Sequence, residues 1–146
     1  MENYNKLTKK LGFKLVPTGG TAPDPDDDDK EVDDVCFKKE YPDKNYDVFC
    51  GYTLGNHFKE TEHMINNGSW GDGGFFVIFS NLKTGDTIFA LDNTHDFANI
   101  LELIEKFDPN NINAAKKLGR EILGMDKTEN DFTGYLPNSS TWKEFK

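Results

Sequence analysis

Two apolar runs divided by a turn and followed at once by an amphipathic helix constrain this chain more than any other feature. In GGFFVIFSNLKTGDTIFALD, Phe75 to Phe79 and Thr87 to Leu91 flank a turn containing Thr84-Gly85-Asp86. Glycine and Asp interrupting two β-prone runs are a hairpin signal, and the unbroken apolar character predicts strands buried on both faces. NTHDFANILELIEKF comes next, with Phe97, Ile100, Leu101, Ile104 and Phe107 at helical spacing. That period predicts a helix laid across the hairpin, with Asn93 or Thr94 able to cap its start.

The remaining elements are placed around this unit. Residues 3–11 read as a short helix with Leu7 and Leu11 on one side, stopped by Gly12. FKLVP reads as a brief strand, and further strands are expected at 35–41 and 46–53. Pairing these two around Pro42-Asp43-Lys44-Asn45 sets Tyr41 opposite Tyr46, Phe37 opposite Cys50 and Val35 opposite Tyr52. This register gathers the apolar side chains on one face. NHFKETEHMINNG has the residue types of a helix ending at Asn67-Gly68. A last helix over 112–123 presents Ile112, Ala115, Leu118 and Ile122 on one face. No repeat and no long linker divides the 146 residues. The expectation is a single α+β domain over 1–146, an antiparallel sheet with two to four helices packed mainly on one face.

Charge is concentrated in one place. Residues 24–34, DPDDDDKEVDD, hold eight carboxylates and one lysine, so they carry −7 of the chain's net −9 and leave −2 on the other 135 residues. Gly, Pro and crowded Asp oppose regular structure, so 18–34 is expected as an acidic loop. Three readings compete for it. As a calcium loop beginning at Asp24 it supplies Asp24, Asp26 and Asp28 at the first, third and fifth positions. The sixth position is Asp29 where glycine is needed, and the twelfth is Val35 where glutamate is needed. As a spacer it is a solvated stretch. As a docking surface it speeds association with a basic protein. The docking reading nominates Asp26, Asp27, Asp28, Asp29, Glu31, Asp33 and Asp34.

Other candidate chemistry is weighed against blander roles. His57, Glu60 and His63 are three apart, and six residues turn a helix by about 600°, so the two histidines diverge by about 120°. A zinc-protease pair is four apart. Di-iron bundles need two Glu-x-x-His pairs, and Glu60 with His63 makes one. His95 stands in DNTHDF, where capping accounts for its neighbours. NNGSWGDGG is glycine-rich but fits neither a phosphate loop nor a dinucleotide fingerprint. Trp70 near its apex reads either as a binding anchor or as a core anchor. Cys36 and Cys50 face opposite ways in the register above, which disfavours a disulfide; a slipped register would bring them together. No motif calls for a cofactor.

Direct nucleic-acid binding is not expected without a basic stripe, and no apolar run reaches the roughly 20 residues of a membrane-spanning helix. MENYNKLTKKLGF lacks a secretory apolar stretch, so a cytoplasmic location and free thiols are expected.

The segment from Gly71 to Phe107 resembles the central part of SUKH-type bacterial immunity proteins. The resemblance rests on Gly73-Gly74 leading a strand, Gly85-Asp86-Thr87-Ile88-Phe89 on the return strand, and a helix carrying Phe97 to Phe107. It spans 37 residues, about a quarter of the chain. The family's Leu-Pro leads its N-terminal helix, whereas Leu136-Pro137 stands near the C-terminus here. The resemblance implies inhibition of a toxin by tight binding, with no catalytic residue carried over. The leading expectation is therefore a non-enzymatic inhibitor of the immunity type that binds a basic partner, such as a nuclease toxin or a nucleic-acid-handling defence protein. The alternatives are a small-ligand module that sequesters a signalling nucleotide and a metal-dependent hydrolase using His57, His63 or His95.

Overall fold

In the computed structural model, residues 2–24, 27–52, 65–66, 75–94 and 96–123 are described. Strands β1 (Lys14–Asp24), β2 (Asp27–Tyr41), β3 (Tyr46–Tyr52), β4 (Phe75–Asn81) and β5 (Thr87–Thr94) form one sheet. It is five-stranded and antiparallel, and each strand lies beside its neighbour in sequence. Helix α1 (Glu2–Asn5) runs into a π-helical turn (Lys6–Lys10), and α2 (Phe97–Lys106) and α3 (Ile112–Leu123) follow the sheet. The α+β domain expected from the sequence is the one observed.

The β4–β5 turn is closed by several hydrogen bonds. The Asn81 amide donates to the Asp86 carbonyl at 2.7 Å, and the Gly85 amide to the Asn81 carbonyl at 2.8 Å. The Asn81 side-chain oxygen also accepts from the amides of Lys83 and Thr84 at 2.9 and 3.0 Å. Gly85 has φ +76°, a backbone region where a side chain would be strained.

One face of the sheet carries Phe37, Tyr46, Val48, Cys50, Phe75, Val77, Phe79, Phe89 and Leu91, which join Leu7 and the apolar sides of α2 and α3 in one buried cluster. Alternation along each strand sends these side chains to the helix-covered side. Phe97 at the start of α2 meets Phe75 edge-on, with ring centroids 5.0 Å apart. Phe107, just past its end, lies flat on Phe79. Helix α3 contributes Ala115 to the cluster and packs Ile112, Leu118 and Ile122 against it, the face expected from their spacing.

Two ends differ from expectation. Helix α2 is capped by Asp96, whose carboxylate accepts from the Ala98 amide at 2.9 Å. Asn93 and Thr94, the expected caps, belong to β5, because pairing with β4 continues to Thr94 opposite Phe75. At the N-terminus the Thr8 hydroxyl donates to the Tyr4 carbonyl at 2.8 Å, and the wider turn closes with the Leu11 amide on the Lys6 carbonyl at 2.9 Å. A hydroxyl bonded back four residues competes for the helix's own carbonyls, which accounts for the departure from a regular α-helix. Gly12, at φ +79°, ends the turn.

The cysteine register holds over its paired length, with Phe37 opposite Cys50 and Tyr41 opposite Tyr46; the ladder ends at Phe37, short of the expected Val35–Tyr52 pair. Both cysteines are buried thiols. Cys50 belongs to the helix-side cluster, whereas Cys36 lines the opposite face.

Candidate functional site

The acidic stretch is not a loop at 18–34 but the distal part of the β1–β2 hairpin. Leu15 pairs with Phe37 and Pro17 with Val35; after an interruption Thr21 pairs with Asp33, Ala22 with Val32 and Pro23 with Glu31. Backbone pairing supplied by a facing strand outweighs the poor intrinsic strand preference of Asp, Gly and Pro. Strand β1 lies at the sheet's edge, where Pro17 and Pro23 cost little of the ladder.

Two irregularities shape the ribbon. Thr18, Gly19 and Gly20 stand opposite Asp34 alone, a bulge that Gly19 accommodates with φ +90°. Nearer the tip, Asp28, Asp29 and Lys30 intervene on β2 between Glu31, which pairs with Pro23, and Asp27, which pairs with Asp24. Asp29, Lys30 and Glu31 are exposed. The Thr21 hydroxyl donates to Glu31 Oε2 at 2.7 Å, a side-chain tie across the two strands.

Strand β3 pairs with β2 only along Phe37–Tyr41. Among the described residues, therefore, the acidic half of β2 has β1 as its single strand partner. From Val35, buried in the body, to Asp27 the paired path of the ribbon, bulges aside, runs about 17 Å at the usual rise of a strand. Asp27, Asp28, Asp29, Glu31, Asp33 and Asp34 all lie on β2, so six of the eight nominated residues share one strand. Asp26 and Trp70 lie outside the described residues, as do His57, Glu60, His63 and His95 with the glycine-rich loop and all of the expected helix but Ile65 and Asn66, which are helical.

Among the described residues no group of three or more His, Cys, Asp or Glu side chains is placed to hold a metal ion. Cys50 makes a poor nucleophile, since burial pushes its thiol well above the ordinary value and Cys36 adds to the effect. No helix among the described residues is long and apolar enough to cross a membrane.

A second surface, absent from the sequence reading, lies on the sheet face away from the helices. Phe49 pairs with Ile78, and Ile78 with Ala90; with Phe76 they form a smaller apolar cluster separate from the main core. Cys36 and Lys38 border it on β2 and Val16 on β1, around a groove of about 660 Å³. The signal in the sequence was Phe49, Phe76 and Ile78 in the phase opposite to Cys50, Val77 and Phe79.

Next to this groove Asp47 is paired with Ser80 in the ladder. Its Oδ2 is 4.0 Å from Lys38 Nζ, beyond hydrogen-bond reach, and its side chain is 13% exposed. Burial raises its carboxyl above the ordinary value, Lys38 acts in the opposite direction, and Glu40 adds to the rise.

Compared with protein-family models, with curated proteins and with solved structures, the chain shows no match.

Proposed function

We propose that this protein is a non-enzymatic inhibitor of the immunity type, which docks its acidic β ribbon onto a basic protein and covers that protein's working surface. The observation that carries this reading is the concentration of −7 in residues 24–34, which, Pro25 and Asp26 apart, lie on two paired strands that extend beyond the third. A ribbon presents its charges as a unit to a cleft, where a solvated loop would spread them. Paired strands also lose less conformational freedom on binding than a free loop. Carboxylates at such density mimic a run of phosphates, so the natural counterpart is a surface built for nucleic acid, in a nuclease toxin or a nucleic-acid-handling defence protein. Their field acts over about a Debye length and raises the encounter rate, while apolar contacts at the ribbon's root supply persistence. The resemblance of Gly71 to Phe107 to SUKH-type proteins points to the same role.

The test replaces residues 18–34 with an Asn-Gly turn, which joins Pro17 directly to Val35, a pair already facing in the ladder. The shortened protein is expected to keep the thermal midpoint of the body and to lose its basic partner in captures from the native cells. Retention of the same partner by the shortened protein would refute the assignment.

A further inference from the structure

The groove lies on the sheet face opposite the described helices, at the root of the β1–β2 hairpin, and raises its own question of occupancy. Its floor is apolar: Phe49, Phe76 and Ile78 stand on β3 and β4, with Val16 and Cys36 at the β1–β2 side. Gly51 lies opposite Phe76 and contributes no side chain. The volume, about 660 Å³, falls in the range of small-molecule sites.

One border of this apolar floor is cationic. Lys38 lines the groove with its ammonium 5.1 Å from the centre of the Phe49 ring. Lys14 stands directly opposite Lys38 in the β1–β2 ladder, so two like charges are juxtaposed on one face. Directly opposed like charges destabilise a strand pair unless something answers them. Asp47 answers one of the two at 4.0 Å, without a hydrogen bond. Glu40, a row further out beside Asp47, is exposed and solvated.

From this geometry we infer a second binding site, for a small apolar monocarboxylate whose body lies across Phe49, Ile78 and Phe76 and whose carboxylate meets Lys38 and Lys14. The carboxylate supplies the missing acceptor to Lys38 and relieves the Lys14–Lys38 juxtaposition. Cys36, 5% exposed in the groove wall, reacts slowly, and a ligand that covers its remaining exposed edge slows it further, while Cys50 stays buried on the opposite face.

The experiment uses the full chain with decanoate and 2-naphthylacetate, each beside its primary amide as an uncharged isostere. Affinity is read by calorimetry, and occupancy by the rate at which iodoacetamide alkylates Cys36. Saturable binding of the carboxylates at one per chain is expected, with slowed alkylation of Cys36. Lys38→Met keeps the stem and removes the charge; it should weaken the carboxylates roughly ten- to hundredfold and leave the amides unchanged. Lys14→Met should weaken them less and, by removing one of the two opposed charges, should not lower the thermal midpoint. Equal affinity for acid and amide would overturn the inference. So would binding indifferent to Lys38, or weakened uptake only in a variant with a lowered midpoint. Cys36 inert to iodoacetamide without ligand would show the groove already closed, and protection rising with protein concentration would assign it to a second copy; either result overturns it too.

Discussion

The ring of Phe107 lies on that of Phe79, with centroids 3.8 Å apart and planes inclined by 15°. Phe107 is the residue at which α2 ends, and Phe79 is in β4, next to the turn into β5. Tyr46 completes the group from β3, its ring meeting Phe107 nearly at right angles at 5.2 Å. One aromatic cluster thus fastens the end of the helix to two strands. Phe107→Ala is expected to cost about 3–5 kcal/mol, the usual range for truncating a buried Phe. Urea unfolding checks this, and a loss under about 1 kcal/mol would show that the ring contributes less than its buried area alone implies.

Gly85 separates a conformational cost from a packing cost. At φ +76° it is in the left-handed region, and an added Cβ would meet nothing within 4 Å. Gly85→Ala should therefore cost about 1 kcal/mol, and Gly85→Asn distinctly less, since Asn tolerates this region. Chemical denaturation of the two variants gives the comparison. Equal losses would mean that backbone conformation is not the cause.

The stacked pair Tyr41 and Tyr46, with centroids 4.9 Å apart, sets the alkaline limit. Burial is the main cause that pushes the Tyr41 phenol up to about 12, and Tyr46 adds to it. A raised folded value makes a contribution that is whole below the ordinary value of 10.0 and is lost as pH rises from there through about 12. Stability should fall across that window in the wild type and fall less in Tyr41→Phe. Thermal melts at stepped pH read this, and identical profiles would contradict it.

Asp47 has the same sign at lower pH. Its carboxyl is raised in the folded protein, so ionisation disfavours the fold at neutral pH and the penalty fades as pH falls toward the ordinary 3.8. Asp47→Asn is expected to be more stable than wild type near neutrality, with the advantage shrinking as pH falls toward 3.8. An advantage independent of pH would point to a cause other than charge.

How much of this was legible in the sequence depended on where each structural decision is made. The β4–β5 hairpin and α2 carry their own periodicity, so Phe75 to Phe107 could be read locally. The Phe37–Cys50 register could be read too, because a slip would have turned a whole apolar face to the wrong side. The acidic hairpin could not, because Asp, Gly and Pro oppose a strand locally and the facing β1 supplies what they lack. The cap was assigned to Asn93 or Thr94 instead of Asp96 because β5 extends through pairing, not through its own composition. The groove went unread for a different reason. Phe49, Phe76 and Ile78 look like surplus core residues until the sheet shows that they occupy its second face.

The most direct test of the central claim is capture from the native cells by the wild type beside a variant with Asp26, Asp27, Asp28 and Asp29 changed to Asn, repeated over rising salt. The account predicts a basic protein held by the wild type, released as salt screens the ribbon, and absent from the variant at every salt concentration. The same protein captured equally by both, or no basic protein captured by the wild type, would contradict it.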